Sequence, residues 1–89
     1  MPNYQIFSAL SDKNRFQIIQ ILARGPRCVC ELEKSLGIAQ NLLSHHLGVL
    51  RQVGLVSSCP CGKKRHYSLN RGRLQLLEKT LTKLTKQNV

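Results

Sequence analysis

At 89 residues the chain has room for one small domain, and a domain this size usually needs a staple or a partner subunit, because it buries only a modest fraction of its surface. Fourteen Lys and Arg against four Asp and Glu give a formal net charge of +10 and a pI near 10.1, which points to a polyanionic partner, most often nucleic acid. No apolar run approaches the roughly 20 residues of a spanning helix and no signal-peptide core is present, so no membrane role is expected and the chain reads as cytoplasmic, where its four cysteines bind metal or sense redox state more often than they form disulfides.

Without a linker, repeat or low-complexity block, residues 1–89 read as one domain of helices with a single hairpin, a mainly α fold with a small β-hairpin. Tyr4 to Leu10 forms a short apolar helix. Ser11 or Asp12 caps the next, in which Phe16, Ile18, Ile19 and Leu22 make the buried stripe before Gly25-Pro26 stops it. A third helix runs from about Val29 to Leu36 and ends at Gly37; a fourth runs from Gln40 to Val53 and ends at Gly54. Two helices joined by a tight glycine turn make a helix-turn-helix.

Leu55 to Ser58 and His66 to Leu69 have strand composition and flank the turn-rich, cationic stretch from Cys59 to Arg65, so they form a hairpin wing. Asn70 caps a last helix whose Leu74, Leu77, Leu81 and Leu84 recur as a narrow apolar seam. The seam lies beyond the hairpin that completes the winged domain, so a contact with a second copy is expected ahead of packing on the chain's own core.

On the fourth helix Leu43, Leu47 and Leu50 share the face that must be buried, leaving Gln40, Asn41, Ser44, His45 and Gly48 on or near the opposite one. Gln and Asn bond adenine bidentately in the major groove, and Ser and His serve bases or phosphates. Gly48 costs about 1 kcal/mol inside a helix, a hint of close approach by DNA. His46 sits nearer the buried face and reads as structural. Lys63, Lys64 and Arg65 at the wing tip suit phosphate contacts, with His66 able to join them.

Cys28-Val29-Cys30-Glu31-Leu32 places two thiols at the start of the third helix. Residues i and i+2 of an α-helix point about 200° apart, so Cys28 and Cys30 hold one ion only if the helix start distorts. Such a distortion would tilt the third helix against the fourth and, by linkage, weaken DNA binding. Thiolates select As(III), Sb(III), Cd(II), Pb(II), Cu(I) or Zn(II) over Mg(II) or Ca(II). Cys59 and Cys61 are a second candidate pair, because i and i+2 of a strand share a face.

Taken together, Ser11-Asp12-Lys13-Asn14-Arg15, the Cys28 to Leu32 segment, Gly37 through Ser44-His45-His46-Leu47 to Val49-Leu50-Arg51, and Gly54-Leu55-Val56 resemble the ArsR/SmtB family of winged-helix metalloregulatory repressors, across nearly the whole chain. The resemblance implies a homodimer built from the first and last helices, with Tyr4 and Phe7 joining Leu74, Leu77, Leu81 and Leu84. It further implies repression through double-stranded operator DNA, relieved when an inducer binds. Cys-Val-Cys-Glu-Leu is most similar to the arsenite- and antimonite-sensing branch, which makes As(III) or Sb(III) the favoured inducer over Cd, Pb or Zn. The chain departs from the family in four places. Ala39 stands where the recognition helix usually has a capping Ser; Glu33 stands where some relatives have a third thiol; no Cys precedes Cys28; and the last helix has no His and only Glu78 as an acid.

A missing ligand is therefore sought in Cys59 or Cys61, since winged folds pair the strand at Arg27-Cys28 with the second wing strand. One joint site, two separate pairs and a Cys₄ zinc staple all stay open. Redox sensing by two of the thiols is the alternative regulatory reading, and a constitutive architectural DNA-binding protein is another. An enzyme is disfavoured, because there is no βαβ unit, no C-x-x-C and no Ser/His/Asp or paired-carboxylate arrangement.

Overall fold

The computed structural model describes the backbone of residues 2–87 and the side chains of residues 4–87. Five helices and a three-stranded antiparallel sheet follow in the order α1 (Pro2–Leu10), α2 (Lys13–Leu22), β1 (Arg27–Cys28), α3 (Val29–Leu36), α4 (Gln40–Gln52), β2 (Val56–Cys61), β3 (Lys64–Leu69) and α5 (Arg71–Thr85). The helix starts follow the capping chemistry: Asp12 accepts from Arg15 N and Asn70 from Arg73 N, each satisfying a donor that the first turn leaves free. The expected stop after α3 is made by Gly37 at φ 64°, ψ 33°, a left-handed geometry that costs glycine nothing.

One core holds these elements together. Ile6 and Ala9 of α1, Ile18, Ile19 and Leu22 of α2, and Leu32 of α3 meet Leu43, Leu47 and Leu50 of α4, with Leu55, Val56, Tyr67 and Leu77 closing it. Phe16 is a correction to the expected α2 stripe: it is 49% exposed, whereas Ile18, Ile19 and Leu22, at the spacing that follows one helix face, are buried.

The wing is longer than its composition foretold. Cys59, Pro60 and Cys61 belong to β2, and Lys64 and Arg65 to β3, leaving Gly62-Lys63 as a two-residue turn. Gly62 has φ 64° and Lys63 has no positive φ, as in a turn with glycine at its first central position. Pro60 fits because β2 is an edge strand in the order β1-β3-β2 and misses no ladder bond on its open side.

The last-helix seam divides. Leu77 is buried and Leu74 packs against the core, while Leu81 and Leu84 are 48% and 60% exposed. With Leu76, Tyr4 and Phe7 also exposed on α5 and α1, which pack on each other, an apolar face remains on the outside.

Candidate nucleic-acid interface and thiol site

The buried stripe of α4 aims its opposite face outward. Leu43, His46, Leu47 and Leu50 are buried; Gln40, Asn41, Ser44, His45 and Gly48 are exposed. Arg51 and Gln52, one turn beyond Gly48, are exposed as well and line a shallow hollow with it. The 3.6-residue period that singled out His45 also carries Gln52 onto the same face, a signal within reach of the sequence. A Cβ added at Gly48 meets nothing within 4 Å, so no contact inside the chain requires glycine there.

Ala39, at the N-cap of α4, offers no side-chain bond. Asn41 Oδ1 instead accepts from Leu42 N at 2.9 Å, so it satisfies one of the free amides of the first turn. The Nδ2 donors and the second lone pair of Oδ1 stay available to a base.

His46 fixes α4 on the start of α2. Its Nδ1 accepts from Arg15 Nη1 at 3.2 Å, which leaves the ring proton on Nε2, 3.8 Å from Asp12 Oδ2. Arg15 Nε also donates to Ala9 O at 2.6 Å, so one guanidinium ties α1, α2 and α4 together. Burial pushes the His46 pKa below its ordinary value; Asp12 opposes that shift, and Arg15 and His45 add to it.

At the wing tip Lys63, Lys64 and Arg65 are exposed, Arg65 donating to Ser58 Oγ at 3.0 Å. His66 is less exposed than these three cations. It is half-buried, and its Nδ1 is buried with no hydrogen-bond partner.

All four cysteines are free: Cys28 is buried, whereas Cys30, Cys59 and Cys61 are exposed. Cys28 is the N-cap of α3 at φ −83°, ψ 163°, and Cys30 is the second helical residue. The two thiols therefore straddle the helix boundary, Cys28 on extended backbone and Cys30 inside the first turn. Glu31 Oε1 accepts from Cys28 N at 3.0 Å. That bond, and then the Cys28 thiol, hold the Glu31 carboxyl below its usual pKa.

Strand pairing sets the remaining distances. Cys28 pairs with His66 on β3, and His66 with Cys59 on β2. Cys28 and Cys59 are thus two strand spacings apart, about 9–10 Å. Two thiolates on one ion, each about 2.3 Å from it, span only about 6–7 Å between their Cβ atoms. One ion cannot take both thiols while this register holds. Among the described residues no group of three or more His, Cys, Asp and Glu surrounds a common point.

The family model for "Bacterial regulatory protein, arsR family" matches residues 12–58, from the cap of α2 to the first half of β2. The chain belongs to the arsR family. Among curated arsR relatives, the arsenical resistance operon repressor of Bacillus subtilis is 36% identical over 67 residues, which is 74% of this chain and 64% of that protein. The repressor of the same description from Escherichia coli is 39% identical over 74% of this chain and 57% of that protein. A transcriptional repressor described as an SmtB homolog, from Synechocystis, is 37% identical over 73% of this chain, and there the match spans about half (49%) of the relative's length. Among solved structures, an ArsR family transcriptional regulator, RHA00566, superposes with a TM-score of 0.87 at 26% identity, covering 96% of this chain and 88% of that one. The architecture is accordingly that of an arsR winged helix, with α3 and α4 as its helix-turn-helix and β2-β3 as its wing.

Proposed function

We propose that this chain is a homodimeric transcriptional repressor that binds double-stranded operator DNA and leaves it when a thiophilic metal or metalloid binds its cysteine thiolates. As(III) or Sb(III) is the favoured inducer, ahead of Cd(II), Pb(II) and Zn(II). One observation carries this reading: Cys28 caps α3, the helix that positions the exposed polar face of α4. Ligation of that cap acts on the reading head without touching a residue that faces DNA.

In this reading α4 enters the major groove with Gln40, Asn41, Ser44 and His45, and the cationic wing holds the phosphates through Lys63, Lys64 and Arg65. The second subunit docks on the apolar face left by Tyr4, Phe7, Leu81 and Leu84, with Leu74 and Leu77 beneath it. The task is binding, not turnover, and it is carried out in the cytoplasm where the DNA is. The relatives support the inducer class: those of Bacillus subtilis and Escherichia coli are named for arsenical resistance, and one from Streptomyces lividans, 37% identical over 79% of this chain, is a probable mercury resistance operon repressor. The ligand set of the inducer is Cys28 with Cys30 after the start of α3 unwinds; Cys59 and Cys61 form a separate pair on the wing. The test is anisotropy of a labelled duplex, selected by the protein from a random pool, during titration with As(III), Sb(III), Cd(II), Zn(II), Pb(II) and an oxidant. Release by a soft ion supports the reading, release by oxidant alone replaces it with redox sensing, and no release by any of them leaves a constitutive DNA binder.

A further inference from the structure

The proposed function leaves His66 without a task. It is the middle residue of the three-stranded row Cys28, His66, Cys59, and directly opposed residues of an antiparallel pair stand on the same face with Cβ atoms about 4.5–5.5 Å apart. That separation suits a cysteine and a histidine sharing an ion, with about 2.3 Å to sulfur and about 2.0–2.1 Å to nitrogen. The His66 Nδ1 atom is buried and has no hydrogen-bond partner, an arrangement that folded proteins ordinarily avoid. Its strand partner Cys28 is itself buried, and the Glu31 carboxylate is bonded to the Cys28 amide at 3.0 Å.

We propose that Cys28 Sγ and His66 Nδ1 are the two anchors of a site for a zinc-class divalent ion, and that the Glu31 carboxylate completes it by leaving the cap of α3. Three donors do not yet surround a point; the pair stands in register and the third donor is engaged one bond away. A sulfur, nitrogen and oxygen set selects Zn(II), Cd(II) or Co(II) over Mg(II), while As(III) draws on thiolates alone. On binding, the Cys28 thiol gives its proton to bulk water and no electron moves. Glu31 then no longer accepts from Cys28 N, so the first turn of α3 loses its cap and becomes tied to β3 of the wing. Cys59, on the far side of His66, stays outside.

This inference rests on Cys28 being an ion ligand, as the proposed function does, but its test is separate. The reduced full-length protein is titrated with Co(II), reading the thiolate-to-metal charge-transfer band, and then with Zn(II), reading the ¹⁵N shifts of His66. The expected result is a single ion whose charge-transfer band disappears in Cys28→Ser. Affinity should fall about 100-fold or more in His66→Gln, since losing even an outer-shell partner of a metal costs about 10–100-fold. Cys30→Ser, Cys59→Ser and Cys61→Ser should bind Co(II) like the wild type. Zn(II) should shift the Nδ1 resonance of the wild-type protein and leave Nε2 protonated, a reading that needs no variant to fold. An unmoved Nδ1 resonance, coordination through Nε2, or full Co(II) affinity in a folded His66→Gln overturns the site. If Co(II) binds as expected and no soft ion releases DNA, the site stands and the proposed function falls. If As(III) releases DNA while His66 ignores Zn(II), the reverse holds.

Discussion

His46 gives this fold a response to pH just below neutrality. Its ring is buried between Asp12 and Arg15, with His45 beside it, and burial is the largest influence, holding the pKa below 6.5. The unfolded chain therefore takes up a proton first as the pH falls, so His46 stabilises the fold fully above about pH 6.5 and that contribution drains away below it, down to the depressed folded value. We expect the urea midpoint of the wild type to drop between about pH 7.5 and pH 5.5, and His46→Gln to flatten this slope; an equal slope in both proteins would show that other groups carry it. The buried position of His46 was legible in the sequence because it lies beside the Leu43, Leu47, Leu50 stripe. Its partners were not, because the contact with Arg15 joins residues 31 apart and depends on how α2 and α4 cross. The burial of one His66 ring nitrogen was out of reach for a similar reason: the cationic neighbours Lys63 to Arg65 say nothing of its pairing with Cys28, on a strand that spans only Arg27 and Cys28.

At the scale of elements the two helices of the reading head make opposite demands on glycine. Gly37 has a left-handed backbone and nothing near its missing side chain, so Gly37→Ala pays for conformation alone and should lose about 1–2 kcal/mol in a denaturant titration. Gly48 is inside a regular helix with open space beyond it, so Gly48→Ala should raise stability by about 1 kcal/mol. If α4 lies in the groove as proposed, the same substitution weakens duplex affinity; a variant that is both more stable and equally tight would remove Gly48 from the interface. Asn70→Ala should cost about 1 kcal/mol, since it loses the bond to Arg73 N that starts α5. The helix boundaries were readable from Gly37, Gly54 and the capping residues. The wing was read too short because Pro60 and Gly62 argue for a turn from composition, and only the ladder places Pro60 on an open edge.

The whole molecule is more extended than its length requires. A compact chain of 89 residues has a radius of gyration near 12 Å; here the value is 14.2 Å, and the longest dimension is 53 Å against 22 and 21 Å for the others. That shape leaves Leu81 and Leu84 on the distal half of α5 exposed, on the face where the proposed second copy docks. Leu81→Gln with Leu84→Gln should yield a folded monomer by sedimentation, with much weaker duplex binding. Leu77→Gln should instead unfold the chain, because that side chain is 6% exposed and belongs to the core. The periodicity of Leu74, Leu77, Leu81 and Leu84 could not make this distinction: all four share a stripe, and only the point where α5 passes beyond the core separates those that pack at home from those left outside.

The thiol at the cap of α3 and the reading face on α4 are joined in the proposed release of DNA by a soft ion. Its most direct test is a duplex-binding titration of wild type and Cys28→Ser, each with and without As(III), at one fixed salt concentration because phosphate contacts make affinity steeply salt-dependent. We expect equal affinity without the ion, loss of binding by the wild type on adding it, and retained binding by Cys28→Ser. Release of Cys28→Ser at the same As(III) concentration as the wild type would contradict the proposal.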